Sequence, residues 1–337
     1  MDWKTLKQTA REKFNGTCRV CPVCNGVACA GEMPGMGGIG TGSSFQNNVA
    51  ALAGYRLNLK TVHDVTEPVM ACRLLGMDLS MPVIGAAIAG GKLNMGGAVT
   101  EEEYAAAVVG GCNQVGTVGM TGDGPIADVF AAGLKATSAV GGRGIPVIKP
   151  RETEKVIEKA KQAAAAGALA FGMDIDAAAI INMTNAGQPV GPKTQAELAE
   201  IKKNTTIPFV VKGIMVPEDA RACAEAGVDA IVVSNHGGRV LDHTPGTAEV
   251  LPYIAEAVKG KITILVDGGI RTGADVLKML ALGADGVLVG RPVTIGGVGA
   301  GAEGVAMVLN KLAAELRAAM VLTGTANVAK VPEDILW

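Results

Sequence analysis

The chain has 337 residues, of which 47 are Gly, 49% are apolar and 18% are charged, so it can bury one large core and intrinsic disorder is excluded. Thirty Lys and Arg stand against 32 Asp and Glu, and a net charge of -2 gives no general attraction to nucleic acid or to an anionic membrane. Aromatics are only 3%, too few for stacking single-stranded nucleic acid, and Gly or charges interrupt every apolar run before the roughly 18 residues of a membrane span.

The opening MDWKTLKQTAREKF has neither an apolar h-region nor a basic, acid-free character. No signal or transit peptide is expected, and the cytosol is the default compartment. Cys18, Cys21, Cys24 and Cys29 follow with the spacing C-x2-C-x2-C-x4-C. Short C-x2-C steps let thiolates converge on one metal, as zinc or as an iron–sulfur cluster. The plainer alternative is a stretch of reduced thiols or a redox pair, since no second ligand segment accompanies them. Cys72, Cys112 and Cys223 read as buried small hydrophobes, and no disulfide framework is expected. A Gly-rich stretch, GEMPGMGGIGTGSS, and a helix from Phe45 to Tyr55 complete a Cys- and Gly-rich extension over residues 1–80.

Residues 81–337 alternate short β-branched runs with Ala-rich amphipathic segments, the pattern of βα units. The runs are 82–88, 113–118, 145–150, 168–174, 208–214, 230–236, 263–269 and 286–292. Eight such units predict an α/β fold of the TIM (β/α)8 barrel type, whose usual size is roughly 250 residues. An open doubly wound sheet needs a Gly-rich turn after its first strand, which is missing here. Gly299, Gly301 and Gly304 do spell G-x-G-x-x-G, but they come after the last strand and fail the context of a dinucleotide site.

A barrel of this kind works at the carboxyl ends of its strands, and here those ends are polar. The third strand carries Lys149, the fourth ends in Asp174, the fifth carries Lys212, and the sixth ends in Ser234, Asn235 and His236. The seventh ends in Asp267, Gly268 and Gly269, and the eighth in Gly290 and Arg291. Loops after the last two strands are the common phosphate site of the fold; Gly268 and Gly269 allow close backbone approach, Arg271 and Arg291 supply forked donors, and a helix beginning near Gly273 offers its N-terminus. His236, with Arg239 three residues on, reads as a general base beside a cation able to hold a carboxylate. His63 and His243 lack such neighbours, and Lys212 either pairs with a carboxylate or stabilises charge on a cofactor ring.

SNHGGR, DGGIR and VGRP, within a segment of about residues 208–327 and more weakly back to about residue 45, resemble the FMN-dependent α-hydroxy acid oxidase and dehydrogenase family, which includes glycolate and lactate oxidases. The resemblance implies FMN on the barrel and oxidation of a small 2-hydroxy acid to the 2-oxo acid. Carried over by position, it puts Lys212 near the flavin N1 and O2, Ser234 near the ring, and Asp267, Gly268, Gly269 and Arg271 along the ribityl phosphate. Gly290 and Arg291 fall at the phosphate, with Ala87 and Ala89 in the altered motif around the first strand, where Pro-Thr-Ala is usual. His236 is then the base, Asp174 the group that orients its imidazolium, and Arg239 the carboxylate ligand. A homo-oligomer is expected, and an electron-transfer partner is a further expectation. The front half departs from the family: the glycine-rich stretch lacks a tyrosine, and Ile148 stands where a second active-site tyrosine is expected. Two other readings are a type 2 isopentenyl diphosphate isomerase-like flavin barrel and a flavin- or metal-binding redox sensor without turnover.

Overall fold

The computed structural model describes residues 1–337 apart from the side chain of Ile181, and in it the two periodicities of the sequence sort into two layers. Strands β3 (Val83–Ile88), β4 (Gly119–Thr121), β5 (Gly144–Ile148), β6 (Phe171–Asp174), β7 (Phe209–Ile214), β8 (Ala230–Val233), β9 (Thr263–Val266) and β10 (Gly286–Val289) form a closed parallel barrel. The pairing of Val287 with Val83 closes it. Side chains alternate along each strand. Ile84, Met120, Val147, Val210, Val232, Leu265 and Leu288 therefore fill the interior, while Val83, Val211, Ile231, Ile264 and Val287 lie in the larger core beneath the helices.

That outer layer is covered by α3 (Glu101–Gln114), α4 (Ala127–Ala139), α5 (Thr153–Ala165), α7 (Gln195–Lys203), α8 (Pro217–Glu225), α9 (Thr247–Val258), α10 (Gly273–Ala281) and α11 (Arg291–Thr323), which is kinked at Ala300 and Gly301, while the short α6 (Ile181–Asn185) stands at the barrel mouth. Among the described residues no helix is long and apolar enough to cross a membrane. One expected strand is misplaced. The run 113–118 is the end of α3 and a turn through Gly116 (φ +75°), and the strand follows it as β4. A short run with a central glycine serves a helix exit as readily as a strand, and here α3 continues to Gln114.

The N-terminal 80 residues are built onto the barrel. Helix α1 (Trp3–Phe14) is capped by the Asp2 side chain and buries Leu6, Ala10 and Phe14 in the same core as Leu309, Leu312 and Leu316 of α11. Gly299, in α11, permits this approach: a Cβ there would lie 2.7 Å from Leu6 Cδ1. The misleading glycine triplet thus includes a helix-packing position. A hairpin absent from the sequence expectations, β1 (Cys72–Leu74) and β2 (Met77–Leu79), turns through Leu75 and Gly76, both at positive φ. Its Leu74, Met77 and Leu79 join the interior cluster and plug the end of the barrel away from the polar strand ends. Helix α2 (Ser43–Gly54) lies at the opposite mouth, where its Asn48 amide bonds Asn235 just beyond β8.

Candidate functional site

Strand parity carries the chemistry to the barrel axis. Extending the inward positions by two residues leads from Val147 to Lys149, from Gly172 to Asp174, from Val210 to Lys212, from Leu265 to Asp267 and from Leu288 to Gly290. All five extended positions line one cavity of about 300 Å³, together with His236, Arg239, Gly268, Gly269, Arg271 and Arg291. Ala87 and Ala89 line its first-strand side. Ser234, expected near the ring, is not among the residues that line this cavity. Its buried hydroxyl accepts the His236 backbone N–H at 3.0 Å and so holds the turn that carries the histidine. Ile148 faces the outer core, so the side chain presented by β5 to the cavity is Lys149.

The partner of the histidine is also not the expected one. His236 Nδ1 lies 2.8 Å from Asp176 Oδ1, whereas Asp174 pairs with Lys149 at 2.7 Å and with Lys212 at 3.4 Å. Asp174 ends β6 pointing at the axis, opposite Lys212 on the adjoining strand. Asp176 stands in the following 3-10 turn, Ile175–Ala179, at the level reached by His236 beyond β8. The strand opposite makes room for it. At Gly213 the β7–β8 register skips one residue, a bulge, and a Cβ on this glycine would fall 2.5 Å from the Asp176 Cβ and Cγ. Gly213 also sits at φ +111°. Gly213→Ala is therefore expected to push Asp176 away from His236 and to lower stability by more than about 1 kcal/mol; thermal unfolding checks it, and an unchanged Tm contradicts the fit described.

The electrostatics keep the axis ionic. Burial opposes ionisation of Asp174, but Lys149 and Lys212 outweigh it and hold the carboxyl well below its usual range. Burial likewise pulls Lys212 down, yet Asp176, Asp267 and Asp174 together keep its pKa above the ordinary lysine value. Asp267 is raised by burial in spite of Lys212. Asp174 Oδ1, Asp176 Oδ2 and Asp267 Oδ1 are buried without a hydrogen-bond partner among the described residues.

Arg239, Arg271 and Arg291 form a cationic rim with no carboxylate partner among the described residues. Burial lowers Arg239 and Arg291, and the charges of Arg239 and Arg271 lower Arg291 further. What holds them is a strap from the glycine-rich segment. Arg239 donates to Gly35 O, to Gly37 O at 3.1 Å and to Asn94 Oδ1 at 3.0 Å. Arg291 donates to Met36 O at 2.9 Å, Gly37 O at 3.3 Å and Gly237 O at 3.1 Å, and its guanidinium lies 3.6 Å from the centre of the Phe45 ring. Arg271 donates to Cys24 O at 3.1 Å and Ile270 O at 2.8 Å. Of the five N–H groups on each guanidinium, the carbonyls leave some free to bind an anion. Arg151, the other arginine beside the cavity, is committed to Asp123 at 3.2 Å.

The residues fit FMN. Three unpaired guanidinium groups suit a phosphate and a carboxylate, and the positive-φ turn at Gly268 and Gly269 brings backbone to the cavity wall. Asp267 Oδ1 has an acceptor site left for a hydroxyl group. The cavity volume falls at the lower end of the roughly 300–1,000 Å³ usual for cofactor-sized ligands.

Comparison with known proteins agrees with this geometry. The sequence profile of the family described as FMN-dependent dehydrogenase matches residues 35–191 and 183–337. A 2-hydroxyacid oxidase of Dictyostelium discoideum is 49% identical over 144 residues, which are 43% of this chain and 37% of that protein. An L-lactate dehydrogenase of Pectobacterium atrosepticum is 51% identical over 140 residues, 42% of this chain and 36% of that protein. The match thus spans little more than a third of the length of these curated relatives. The crystal structure of mandelate oxidase with benzoyl-formic acid superposes with a TM-score of 0.79 at 31% identity, covering 99% of this chain and 97% of that one. Another, of mandelate oxidase with (S)-2-phenylpropionate, gives a TM-score of 0.78 at 30% identity, covering 99% and 97%.

Proposed function

Because the chain belongs to the FMN-dependent dehydrogenase family, we propose that it binds FMN at the barrel mouth and oxidises a small 2-hydroxy acid to the 2-oxo acid, with His236 as the base. The observation that carries this reading is the His236–Asp176 contact at 2.8 Å on the same cavity as Arg239 and Lys212. Asp176 accepts the Nδ1 proton, which leaves Nε2 as the lone pair that takes a proton from the substrate. As the imidazolium forms, the Asp176 carboxylate stabilises it. Arg239 binds the substrate carboxylate with the N–H groups not used by Gly35, Gly37 and Asn94.

FMN, when bound, supplies the two-electron acceptor. Lys212 would provide a fixed positive charge for the ring, Arg271, Arg291 and the Gly268–Gly269 and Gly290 backbone would hold the phosphate, and Asp267 would receive a ribityl hydroxyl. Ala87 and Ala89 leave room against the ring because neither extends past its Cβ. Ile126, Val129 and Met183 give the cavity an apolar wall that would favour a hydrocarbon substituent on the substrate.

The purified protein is expected to be yellow, with about one FMN per chain, and to release 2-oxo acids from a series running from glycolate through lactate to mandelate. The 2-oxo acid is trapped as its hydrazone. Formation from at least one member is the expected result, and a flavin-loaded protein that forms none from any member contradicts the assignment.

A further inference from the structure

The four clustered cysteines play no part in the chemistry just described, yet the fold gathers them. Cys18, Cys21, Cys24 and Cys29 all line one small cavity between α1 and the barrel mouth, closed by Phe45 and Arg291. All four are partly buried free thiols. Residues 18–29 contain no helix, and only an isolated bridge between Ala30 and Gly38 adjoins them, so little regular structure accounts for their convergence.

Val20, two residues after Cys18, is held at φ +45°, where a β-branched residue is rarely found. One sulfur already has a donor aimed at it. Arg271 Nη2 lies 3.5 Å from Cys24 Sγ. Donors directed at sulfur are what a metal-bound thiolate uses.

The spacing of the sulfurs separates the two classes of metal centre. One zinc at about 2.3 Å from each of four sulfurs brings them to about 3.8 Å from one another. Among the described residues, the only three His, Cys, Asp or Glu side chains with ligating atoms all within 4.8 Å are Asp174, Asp176 and His236, so no three of these sulfurs are that close. Four thiolates spread around a shared space suit a cluster in which each binds a different iron. We infer that Cys18, Cys21, Cys24 and Cys29 hold one four-iron, four-sulfide cluster, set behind the wall of the FMN cavity.

Loading needs iron and inorganic sulfide. Four Fe–S(thiolate) bonds form and each thiol gives its proton to solvent. A core of charge +2 with four thiolates leaves -2, which Arg271 and Arg291 offset from the barrel side.

The position gives the cluster a second consequence. Met36 and Arg291 line both this cavity and the large one, and the strap carbonyls that hold Arg239 and Arg291 begin six residues after Cys29. Gly37 is pressed against Cys29 so closely that a Cβ there would meet the Cys29 carbonyl oxygen. The cluster therefore pins the strap that orients the two arginines, and nothing in this argument depends on which substrate the barrel oxidises.

Analysis of the wild-type protein purified without oxygen tests the inference independently of any variant. About four iron and about four acid-labile sulfide per chain are expected, alongside flavin. Cys21→Ser with Cys24→Ser should remove both, whereas Cys223→Ser, in the buried core, should retain both. About one zinc and no sulfide in the wild-type protein would overturn the cluster, as would less than about 0.1 equivalent of any metal with all four thiols titratable without denaturant.

Discussion

Replacing His236 with Asn is expected to leave FMN bound and to slow bleaching of the flavin by substrate by about a hundredfold to ten-thousandfold, the loss typical of a missing general base. Asn suits the test because it tolerates the left-handed backbone at this position, φ +59°, and so keeps the turn that ends β8. The Ser234 hydroxyl still accepts its backbone N–H, and Gly237 and Gly238 follow unchanged. Only the proton acceptor is gone. Asp176→Asn should resemble it, since it removes the carboxylate that fixes Nδ1 as the protonated nitrogen. Asp174→Asn should act differently, by leaving Lys149 and Lys212 without their shared counter-charge. Rapid mixing without oxygen separates the three, and a His236→Asn protein that bleaches as fast as its parent contradicts the assignment of the base.

Removing both Arg271 and Arg291 is expected to have the second large effect, on the cofactor. Each guanidinium is proposed to give the phosphate a charge-assisted hydrogen bond of about 1.5–3 kcal/mol, so each Ala substitution should weaken FMN by roughly ten- to hundredfold. Arg291 also holds Met36 and Gly37, so its loss loosens the strap as well. Titration of flavin-free protein with FMN, followed by quenching of flavin fluorescence, reads the change. Arg221→Ala, on exposed α8 beside Glu218, is the control that should leave affinity alone. Full retention of tight FMN by the double variant contradicts the phosphate site.

Much of this was legible because the barrel obeys a period of two. Once the run ending at Asp174 and the run around Lys212 are assigned to neighbouring strands, parity aims both at the axis, and the same rule gives Asp267 and Gly290. The failures lie where parity stops. Asp176 stands beyond a strand end, 60 residues before His236, and the room for it comes from a bulge at Gly213 that neither motif suggests. The D-x-D of FGMDID holds both aspartates; the resemblance points to Asp174, whereas Asp176 is the one that reaches His236. Lys149 and Ile148 differ by a single residue of register, which in a strand reverses the face, so Lys149 lines the cavity and Ile148 the outer core. The hairpin plug was hidden because its three-residue strands are too short to show alternation. That Arg239 and Arg291 are held by carbonyls of residues 35–37 could not be read at all, since a backbone acceptor leaves no mark on residue type.

The most direct test is a single turnover without oxygen. Flavin-loaded protein is mixed with excess 2-hydroxy acid, the oxidised flavin band is followed, and the 2-oxo acid is counted after quenching. Complete bleaching with about one 2-oxo acid formed per FMN is the result expected for a two-electron transfer from the bound acid. A flavin band that stays unchanged with every acid in the series, while the protein holds its FMN, would contradict the central claim.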